Sequence, residues 1–331
     1  MKKIYTLVTI LAASFAANAQ ATLPVYESFN YTTPGALQTQ PGYTAMNGGD
    51  DIAVVSGNLS YTDLPASIGN KINFAGAGID ARYDITPVSA DTIYYSFLVK
   101  VNNITAATDA NGGYFAGFGS SNTSFGATTW TQRVDDNTFK FGTEVRTATG
   151  TGTTWTTTDY NVGDTYLVVG SYTFVSGNDN DVAKLWINPT LGLTTEPTPT
   201  IEDQYTASGD LASIVHFFLR QDSATETPDL DIDELRIGTS WADVTPIDPS
   251  ASTKENNIEG LNIFPNPAND VLNITSNSSA DKNVQLFDLT GKKVLDVTTV
   301  SQVNVSTLKA GIYVAKINEA GKTATRKVII K

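Results

Sequence analysis

Short runs of apolar residues, separated by turn residues about every ten positions, extend over most of this chain. Several runs alternate strictly between apolar and polar residues. In residues 182–187, for example, Leu185 would point to one face of a strand, whereas Lys184 and Trp186 would point to the other. The spacing typical of an amphipathic helix is nearly absent. The pattern therefore predicts an all-β chain whose sheets pack as sandwiches.

These runs predict seven strands in the front part of the chain and seven in the back part. The predicted front strands are 92–101, 113–118, 138–145, 165–175, 182–187, 213–219 and 230–237. The predicted back strands are 261–264, 271–275, 284–289, 293–297, 302–305, 311–318 and 325–330. Turn residues such as Gly, Asn, Asp and Pro separate the runs, which is typical of antiparallel strands joined by short connections.

The charge of the chain changes near residue 250. Residues 1–250 carry 11 basic and 27 acidic side chains, a net charge of −16, whereas residues 251–331 carry 10 and 7, a net charge of +3. A polar stretch containing Pro249 lies at the same place. The composition therefore predicts two domains joined by a linker. The predicted segments are a front domain at 20–247, a linker at 248–260 and a back domain at 261–331.

The start of the chain has the pattern of a cleavable secretion signal. Two lysines precede an apolar stretch at 4–17 that is shorter than a membrane span. Small residues at the end of this stretch fit a signal-peptidase site, so residues 1–19 are the predicted signal peptide, cleaved between Ala19 and Gln20. An N-terminal anchor helix is the alternative. No other stretch of the sequence is long and apolar enough to span a membrane.

The residue types present exclude several kinds of chemistry. The chain has no cysteine, which excludes disulfides, thiol nucleophiles and cysteine-ligated zinc. His216 is the single histidine and lies in an apolar run, so we expect it to have a structural role. One histidine cannot build the common zinc sites, and no G-x-S-x-G motif is present. The acidity of the front domain argues against nucleic acid or an anionic membrane surface as a partner.

Four stretches of the back domain occur in a recognisable order. They are Asn-Ile-Phe-Pro-Asn-Pro-Ala at 262–268, a stretch at 284–292 with Gly291-Lys292, Leu-Lys-Ala-Gly-Ile-Tyr at 308–313, and Lys-Val-Ile-Ile-Lys at 327–331. Together they resemble the C-terminal sorting domain of the type IX secretion system. This resemblance implies that an outer-membrane translocon recognises the domain, that the domain is usually removed, and that the cargo is secreted or held at the outer cell surface. An ordinary immunoglobulin-like module is the alternative.

Both ends of the front domain carry a second, looser pattern. Tyr-Glu-Ser-Phe-Asn-Tyr at 26–31 lies near its start, and Leu-Asp-Ile-Asp-Glu-Leu-Arg-Ile-Gly at 230–238 lies near its end. These stretches resemble laminin G-like or concanavalin A-like jelly rolls, and the resemblance implies that the first and last strands lie side by side. The expected fold class is therefore all-β, with a jelly-roll sandwich followed by a small immunoglobulin-like β-sandwich sorting domain.

Carboxylates near the end of the front domain are the candidates for glycoside hydrolysis. Asp231 and Asp233 would share one face of a strand. Jelly-roll glycosidases of the laminarinase type resemble Glu-x-Asp-x-x-Glu, but here the first acid is Asp231 and Arg236 stands where the last acid should be. We expect Asp233 or Glu234 to pair with Arg236 or a loop amide, and a neighbouring guanidinium to lower the carboxylate pKa, which does not suit a general acid. No catalytic residue is therefore predicted.

Three tryptophans and two aspartates are the candidate ligand-binding residues. Trp130 and Trp155 lie in polar, Thr-rich surroundings, and Trp186 faces away from its apolar neighbours, so each could stack on a sugar ring. Aromatic packing beneath loops is the alternative for all three. Asp179 and Asp181 offer the oxygen ligands that calcium prefers, although the spacing of a complete calcium loop is absent. No other metal or cofactor is predicted.

The expected function follows from these features. The chain should be secreted through the type IX system, with the translocon as a partner of its back domain. We expect the front domain to be a non-catalytic binding or adhesion module, with glycan as the ligand class by analogy with jelly rolls. The two alternatives are a glycan-active hydrolase on the same fold and a structural surface adhesin subunit.

Overall fold

The computed structural model describes residues 20–146, 152–204, 209–248 and 258–331. The chain divides into two compact units, a front unit that ends at Asp248 and a back unit that begins at Pro249. The predicted signal peptide and residues 249–257 of the predicted linker lie outside the described residues. None of the helices in the described ranges is long and apolar enough to cross a membrane.

The described part of the front unit contains seventeen strands, a short 3-10 helix at Leu37–Thr39 and the short helix α1 at Trp241–Val244. The strands are β1 (Val25–Glu27), β2 (Gly35–Ala36), β3 (Tyr43–Ala45), β4 (Ala53–Val55), β5 (Lys71–Phe74), β6 (Ala81–Val88), β7 (Thr92–Asn103), β8 (Gly113–Ser121), β9 (Ser124–Arg133), β10 (Thr138–Arg146), β11 (Thr154–Trp155), β12 (Tyr160–Asn161), β13 (Thr165–Thr173), β14 (Val182–Ile187), β15 (Ile201–Asp203), β16 (Ile214–Leu219) and β17 (Asp229–Gly238).

These strands form two antiparallel sheets. Nine of the described strands form the first sheet, in the order β15-β14-β13-β7-β17-β5-β4-β2 with β1 also paired to β17. The other eight form the second sheet, in the order β11-β10-β9-β8-β16-β6-β3 with β12 also paired to β10. Large apolar side chains of both sheets form one core. Phe97 of the first sheet lies 5.9 Å from Phe115 of the second between ring centroids, so the sheets pack face to face as a sandwich.

The first and last strands of the front unit lie side by side, as the jelly-roll resemblance implies. Val25 of β1 pairs with Ile237 of β17, and Glu27 pairs with Leu235. The two stretches that carry the resemblance are thus neighbours in the first sheet. The expected fold class, an all-β sandwich followed by a second, smaller one, is confirmed.

The outer face of the first sheet is covered around Trp186. This side chain is only 1% exposed, its indole N–H donates to the carbonyl oxygen of Pro197 at 2.9 Å, and its ring centroid lies 5.0 Å from that of Trp241. Helix α1, which carries Trp241, and apolar residues of the loop at 59–64 complete this cluster. For Trp186 the alternative reading, aromatic packing beneath other segments, therefore holds, and the ring is not available to stack on a sugar. Its strand alternates as predicted, but other segments pack over the outward face.

The described part of the back unit contains seven strands. They are β18 (Asn262–Phe264), β19 (Val271–Thr275), β20 (Lys282–Phe287), β21 (Lys293–Thr299), β22 (Gln302–Asn304), β23 (Gly311–Glu319) and β24 (Lys322–Ile330). A three-stranded sheet has the order β18-β19-β22, and a four-stranded sheet has the order β21-β20-β23-β24. Apolar side chains of both sheets form a single small core, with Leu272 from the first and Val284 and Val328 from the second.

Asn266, in the Pro-Asn-Pro stretch, binds the edge of the last strand. Its side-chain amide donates to the carbonyl oxygen of Lys327 at 2.9 Å, and its Oδ1 accepts from the N–H of Ile329 at 2.9 Å. Ala268 continues this pairing, because its N–H donates to the carbonyl oxygen of Ile329 at 2.8 Å. The motif therefore satisfies backbone groups that β24 would otherwise leave unpaired at an edge.

Candidate functional site

The outer face of the second sheet, opposite the core, carries the candidate site. Strand β9 shows how its side chains divide between the two faces. The hydroxyl of the buried Tyr95 donates to the carbonyl oxygen of Ala127 and lies 2.7 Å from the hydroxyl of Thr129, so Thr129 points into the core. Successive residues of a strand point to opposite faces, so the next residue, Trp130, points outward.

The register of four strands places three large aromatic residues in one row across this outer face. Trp155 of β11 pairs with Gly142 of β10, Gly142 pairs with Trp130 of β9, and Trp130 pairs with Tyr114 of β8. The ring centroids are 6.3 Å apart between Trp155 and Trp130 and 4.9 Å apart between Trp130 and Tyr114. All three side chains are half-buried. We call Trp155, Trp130 and Tyr114 the aromatic row.

Arg220 extends the aromatic row beyond Tyr114. Its guanidinium carbon lies 4.6 Å from the centroid of the Tyr114 ring, a cation–π arrangement. Asp222 and Asp80 hold the same guanidinium, at 2.7 Å and 3.6 Å. Burial raises the pKa of the Tyr114 hydroxyl to about 12, so this ring is uncharged at neutral pH. The row therefore ends in a cation that two carboxylates already balance.

Two glycines make room for Trp155. A Cβ on Gly142 would lie 2.6 Å from the indole of Trp155, and a Cβ on Gly112 would lie 2.8 Å from it. Both distances are shorter than van der Waals contact between carbon atoms. The indole can approach the sheet this closely because both positions lack a side chain.

A pair of carboxyl groups lies beside Arg220. A hydrogen bond to Asp222, together with burial, raises the pKa of Glu226 to about 7. Burial also opposes the ionisation of Asp222, but the hydrogen bond from Glu226 and the charge of Arg220 outweigh it and lower the pKa of Asp222. The pair therefore shares one proton near neutral pH. A Cβ on Gly113 would lie 2.7 Å from the Cβ of Glu226, which places the pair next to the strand of Tyr114.

The structure brings two of the sequence-predicted ligand residues, Trp130 and Trp155, into contact and separates the third, Trp186, which lies on the other sheet. Sequence reasoning missed Tyr114, because only the register across strands places it in the row. It also missed Arg220, which directly follows the apolar run at 214–219. If the alternation of that strand is continued by one residue, His216, Phe218 and Arg220 share one face, and this pattern was the available signal.

The two predicted calcium ligands lie in a turn away from the aromatic row. The buried carboxylate of Asp181 accepts hydrogen bonds from the Tyr172 hydroxyl at 2.6 Å and the Val175 N–H at 2.7 Å, and burial raises its pKa. Asp179 is half-buried beside it, with a φ of +56°. Across the described ranges, no group of three or more His, Asp or Glu residues is placed to hold a metal ion.

The carboxylates of β17 lie inside the front unit and not in an open cleft. Asp231 pairs with Lys71 at 2.6 Å. Asp233 is fully buried, and its carboxylate accepts a hydrogen bond from the Leu59 N–H at 2.8 Å. Burial raises the pKa of Asp233 to about 7. The expectation that Arg236 lowers the carboxylate pKa values here is therefore wrong for Asp233, because desolvation outweighs the backbone hydrogen bonds and the charge of Lys71, which act to lower this pKa.

Strand β17 is bulged at the residues that follow Asp233. Its pairing with β7 shifts register between Asp233 and Arg236, and Glu234 has a φ of +56°. Arg236 pairs with Glu234 at 2.6 Å, which is the pairing expected from the sequence. The expectation of a regular strand did not include this bulge, which puts the two side chains in direct contact within the first sheet.

His216 is a buried ring on the face that also carries Arg220. Burial lowers its pKa to about 4, so the ring is neutral at pH 7. Neither ring nitrogen has a hydrogen-bond partner among the residues that the structure describes. Gly119 lies opposite, where a Cβ would come within 2.1 Å of Nε2. The ring therefore fills a space that the glycine leaves.

The back unit matches a known family. A family model described as the secretion system C-terminal sorting domain matches residues 262–331. These residues are a type IX secretion sorting domain. The match confirms the resemblance seen in the four stretches of the back unit. It indicates secretion through the type IX system, an interaction with that secretion machinery, and a location outside the cell or at its outer surface.

Comparisons with individual proteins give short or remote likenesses. Beta-agarase D of Zobellia galactanivorans is 38% identical over 74 residues, which are 22% of this chain and 15% of the agarase, so the chain spans well under two thirds of that relative. The botulinum neurotoxin serotype D binding domain is 9% identical with a TM-score of 0.35, covering 86% of this chain and 68% of its own. A Trypanosoma rangeli sialidase is 13% identical with a TM-score of 0.31, covering 62% of this chain and 32% of its own.

Proposed function

We propose that the front unit is a non-catalytic binding module for a glycan, on a jelly roll of the concanavalin A-like or laminin G-like kind, and that the aromatic row is its contact surface. The observation that carries the proposal is the register that aligns Trp155, Trp130 and Tyr114 on one outer face. The flat apolar face of an aromatic ring packs against the C–H face of a sugar ring, and half-buried rings are held in place for this contact.

Polar groups on the same face supply hydrogen bonds for sugar hydroxyls. Gln132 lies two residues beyond Trp130 on β9 and pairs with Lys140 of β10, so both point outward beside the row. Lys140 is held by Asp159 at 2.6 Å. At the other end of the row lies Arg220. Apolar rings bordered by donors and acceptors are the arrangement that small-molecule and sugar sites require.

Binding by the full chain to a panel of immobilised glycans tests the proposal. We expect Trp130→Ala and Trp155→Ala each to weaken binding to the preferred polysaccharide about thirtyfold, since central aromatic contacts contribute most to affinity. Affinity electrophoresis of the folded variants gives the ratio. Binding that is unchanged in both variants would show that the row is not the contact surface.

A concave region elsewhere in the front unit provides a matched control. A cavity of about 520 Å³ on the first-sheet side is lined by Tyr61, Asn188 and Leu191 among other residues. Like the row residues, Tyr61 is a half-buried aromatic side chain. We expect Tyr61→Ala to leave glycan binding unchanged. Loss of binding in this variant alone would place the ligand in the cavity and overturn the assignment to the row.

A glycan-active hydrolase is the second candidate, because the Asp222–Glu226 pair supplies one protonated and one ionised carboxyl group near neutral pH beside the aromatic row. Glycosidases hold their two carboxyl groups about 5–10 Å apart, whereas a hydrogen bond joins these two directly, so the geometry supports the binding module better. For a binding module we expect the full chain to release no reducing sugar from any polysaccharide that it binds. Release that disappears in Glu226→Gln would replace the binding proposal with the hydrolase.

The domain limits form part of the same proposal. We take the binding module as 20–247, the linker as 248–260 and the sorting domain as 261–331, with the signal peptide at 1–19 removed. Ala19 lies outside the described residues, whereas Gln20 is exposed at their start. Intact mass of the exported protein checks both ends. A main species that begins at Gln20 and lacks the sorting domain is expected, and one that retains residues 261–331 would contradict its removal.

A further inference from the structure

Exposed apolar side chains are concentrated in the back unit. Twelve large apolar residues of the described ranges are well exposed, and six of them lie in the back unit, although it comprises only residues 249–331. Solvent-exposed apolar side chains that cluster on one domain are typical of an interaction surface. Because this unit is a sorting domain, a component of the secretion machinery must bind it.

The outer face of the four-stranded sheet carries a contiguous apolar patch. Strand β23 alternates strictly, so that Ile312 and Val314 are 41% and 37% exposed while Tyr313 faces the core. Ile312 pairs directly with Ile329 of β24, and Val314 pairs directly with Phe287 of β20. Directly opposed residues lie within contact distance of each other. We call Ile312, Val314, Phe287 and Ile329 the sheet patch.

Two lysines border the sheet patch. Lys327 of β24 pairs with Val314, and Lys316 lies two residues beyond Val314 on the same face of β23. Neither ammonium group has a carboxylate within 4.0 Å among the described residues, whereas Lys293 on β21 is held by Asp296 at 2.7 Å. The patch is therefore an apolar centre bordered by two lysines that form no salt bridge with the described residues.

The outer face of the three-stranded sheet differs in chemistry. It also carries exposed apolar side chains, with Val271 at 40% and Phe264 at 44%. Hydrogen-bonded amides lie beside them, because Asn273 donates to the carbonyl oxygen of Phe264 at 3.0 Å and Gln302 donates to Asn273 at 3.0 Å. The strands of this sheet contain no lysine. This face therefore offers satisfied polar groups and no charge for a partner to neutralise.

We propose that the sheet patch, together with Lys316 and Lys327, is the surface by which the secretion machinery binds the sorting domain. A specific interface has an apolar centre and a polar border, and charges on the two sides complement each other. The partner component accordingly presents an apolar surface bordered by carboxylates. This inference rests on the sorting domain and not on the glycan-binding proposal for the front unit.

Two exposed valines allow a matched test of the proposal. Val314 lies on the outer face of the four-stranded sheet, and Val271 lies on the outer face of the three-stranded sheet. The full chain is expressed in a bacterium with a working type IX system, and the exported fraction is measured for Val314→Glu and Val271→Glu. We expect Val314→Glu to lower export about tenfold or more, since it places a charge at the centre of the interface, and Val271→Glu to leave export near normal. Equal loss in both variants, normal export in both, or loss only in Val271→Glu would overturn the proposal.

Folding must be checked separately, because an unfolded sorting domain would also fail to be exported. A carboxylate at position 314 would lie opposite Lys327, so the substitution suits the sheet. Thermal unfolding of the purified full-length variants should show equal midpoints for the back unit. If Val314→Glu proves unfolded, Val314→Ser and Val271→Ser replace the pair with the same expected contrast.

The lysine border has its own test. Reversal of both charges in Lys316→Glu/Lys327→Glu is expected to lower export about tenfold, whereas Lys292→Glu/Lys322→Glu should not, because Lys292 and Lys322 are exposed and lie outside the sheet patch and its border, Lys292 next to a turn and Lys322 at the start of β24. Export at the normal level in the first double variant would contradict an acidic border on the partner. Normal export combined with loss of attachment to the cell surface would assign the lysines to an anionic surface ligand and overturn the proposal.

Discussion

The two outer faces of the front unit carry the same kind of residue in different surroundings. On the first sheet, Trp186 is buried beneath Trp241 of helix α1. On the second sheet, Trp130 and Trp155 remain half-buried, and they form a row with Tyr114. All of the strand tryptophans point away from the core between the sheets, so direction alone does not separate them. The segment that packs over a face decides whether a tryptophan stabilises the fold or is available to a ligand.

The largest expected effect is on the free energy of unfolding, at the outer face of the first sheet, which helix α1 covers. Trp186→Ala should lower the free energy of unfolding by about 3–5 kcal/mol, because it leaves a cavity beneath a packed cover. Trp130→Ala, on the open face, should cost about 1 kcal/mol or less. Urea unfolding followed by tryptophan fluorescence reports on the front unit only, because all four tryptophans lie there. Equal destabilisation by the two substitutions would remove the distinction between the faces.

The second prediction tests whether glycan binding on the outer face of the second sheet needs Trp155 in its present position. Gly142→Val should displace Trp155, because even a Cβ would lie 2.6 Å from its ring. Overpacking of this kind costs about 1–3 kcal/mol, and glycan binding should fall as far as in Trp155→Ala. Gly152→Val is the matched control, since a Cβ there meets no atom of the described residues within 4 Å. Full glycan binding by a folded Gly142→Val variant would contradict the need for Trp155 at its present position.

Strand positions were predictable wherever alternation was strong. The strand predicted at 182–187 agrees with Val182–Ile187. The strand at Ser124–Arg133 was missed because its inward positions Ala127, Thr129 and Thr131 are small or carry a hydroxyl, so hydrophobic periodicity is weak there. Pairing with β8 and β10 on its two sides stabilises this strand, and the local sequence does not show that pairing.

The candidate site was predictable only in part. Polar surroundings indicated that Trp130 and Trp155 lie at the surface, but the same reasoning placed Trp186 there too, because periodicity gives the direction of a side chain and not what covers it. Tyr114 joins the row through a register that depends on three other strands. The partner of Glu226 lies in the same loop, but nothing in the local sequence shows that the two carboxyl groups share a proton.

The smallest expected effect is on pH dependence. Glu226 and Asp233 have a pKa of about 7 in the folded chain, above the value of about 4 that carboxyl groups have when unfolded. A raised folded-state pKa contributes stability that is complete below pH ~4 and is lost as the pH rises through about 7. We therefore expect the urea midpoint of the front unit to fall between about pH 5 and pH 8.

Glu226→Gln should make this fall shallower, because the amide cannot ionise but still donates toward Asp222. Glu202→Gln, on an exposed edge strand, is the control and should leave the slope unchanged. A midpoint that rises over this range would contradict the raised pKa values. An unchanged slope in Glu226→Gln would show that Glu226 does not hold a proton near neutral pH.

Oxidation of the four tryptophans, with and without a bound polysaccharide, tests most directly whether the open face is the binding surface. The full chain is treated with N-bromosuccinimide and each tryptophan is quantified by peptide mass spectrometry. We predict that Trp130 and Trp155 react and that bound polysaccharide protects them, while Trp186 and Trp241 stay unmodified in both samples. Oxidation of Trp130 and Trp155 that saturating polysaccharide does not change, or a Trp186 as reactive as they are, would contradict this prediction.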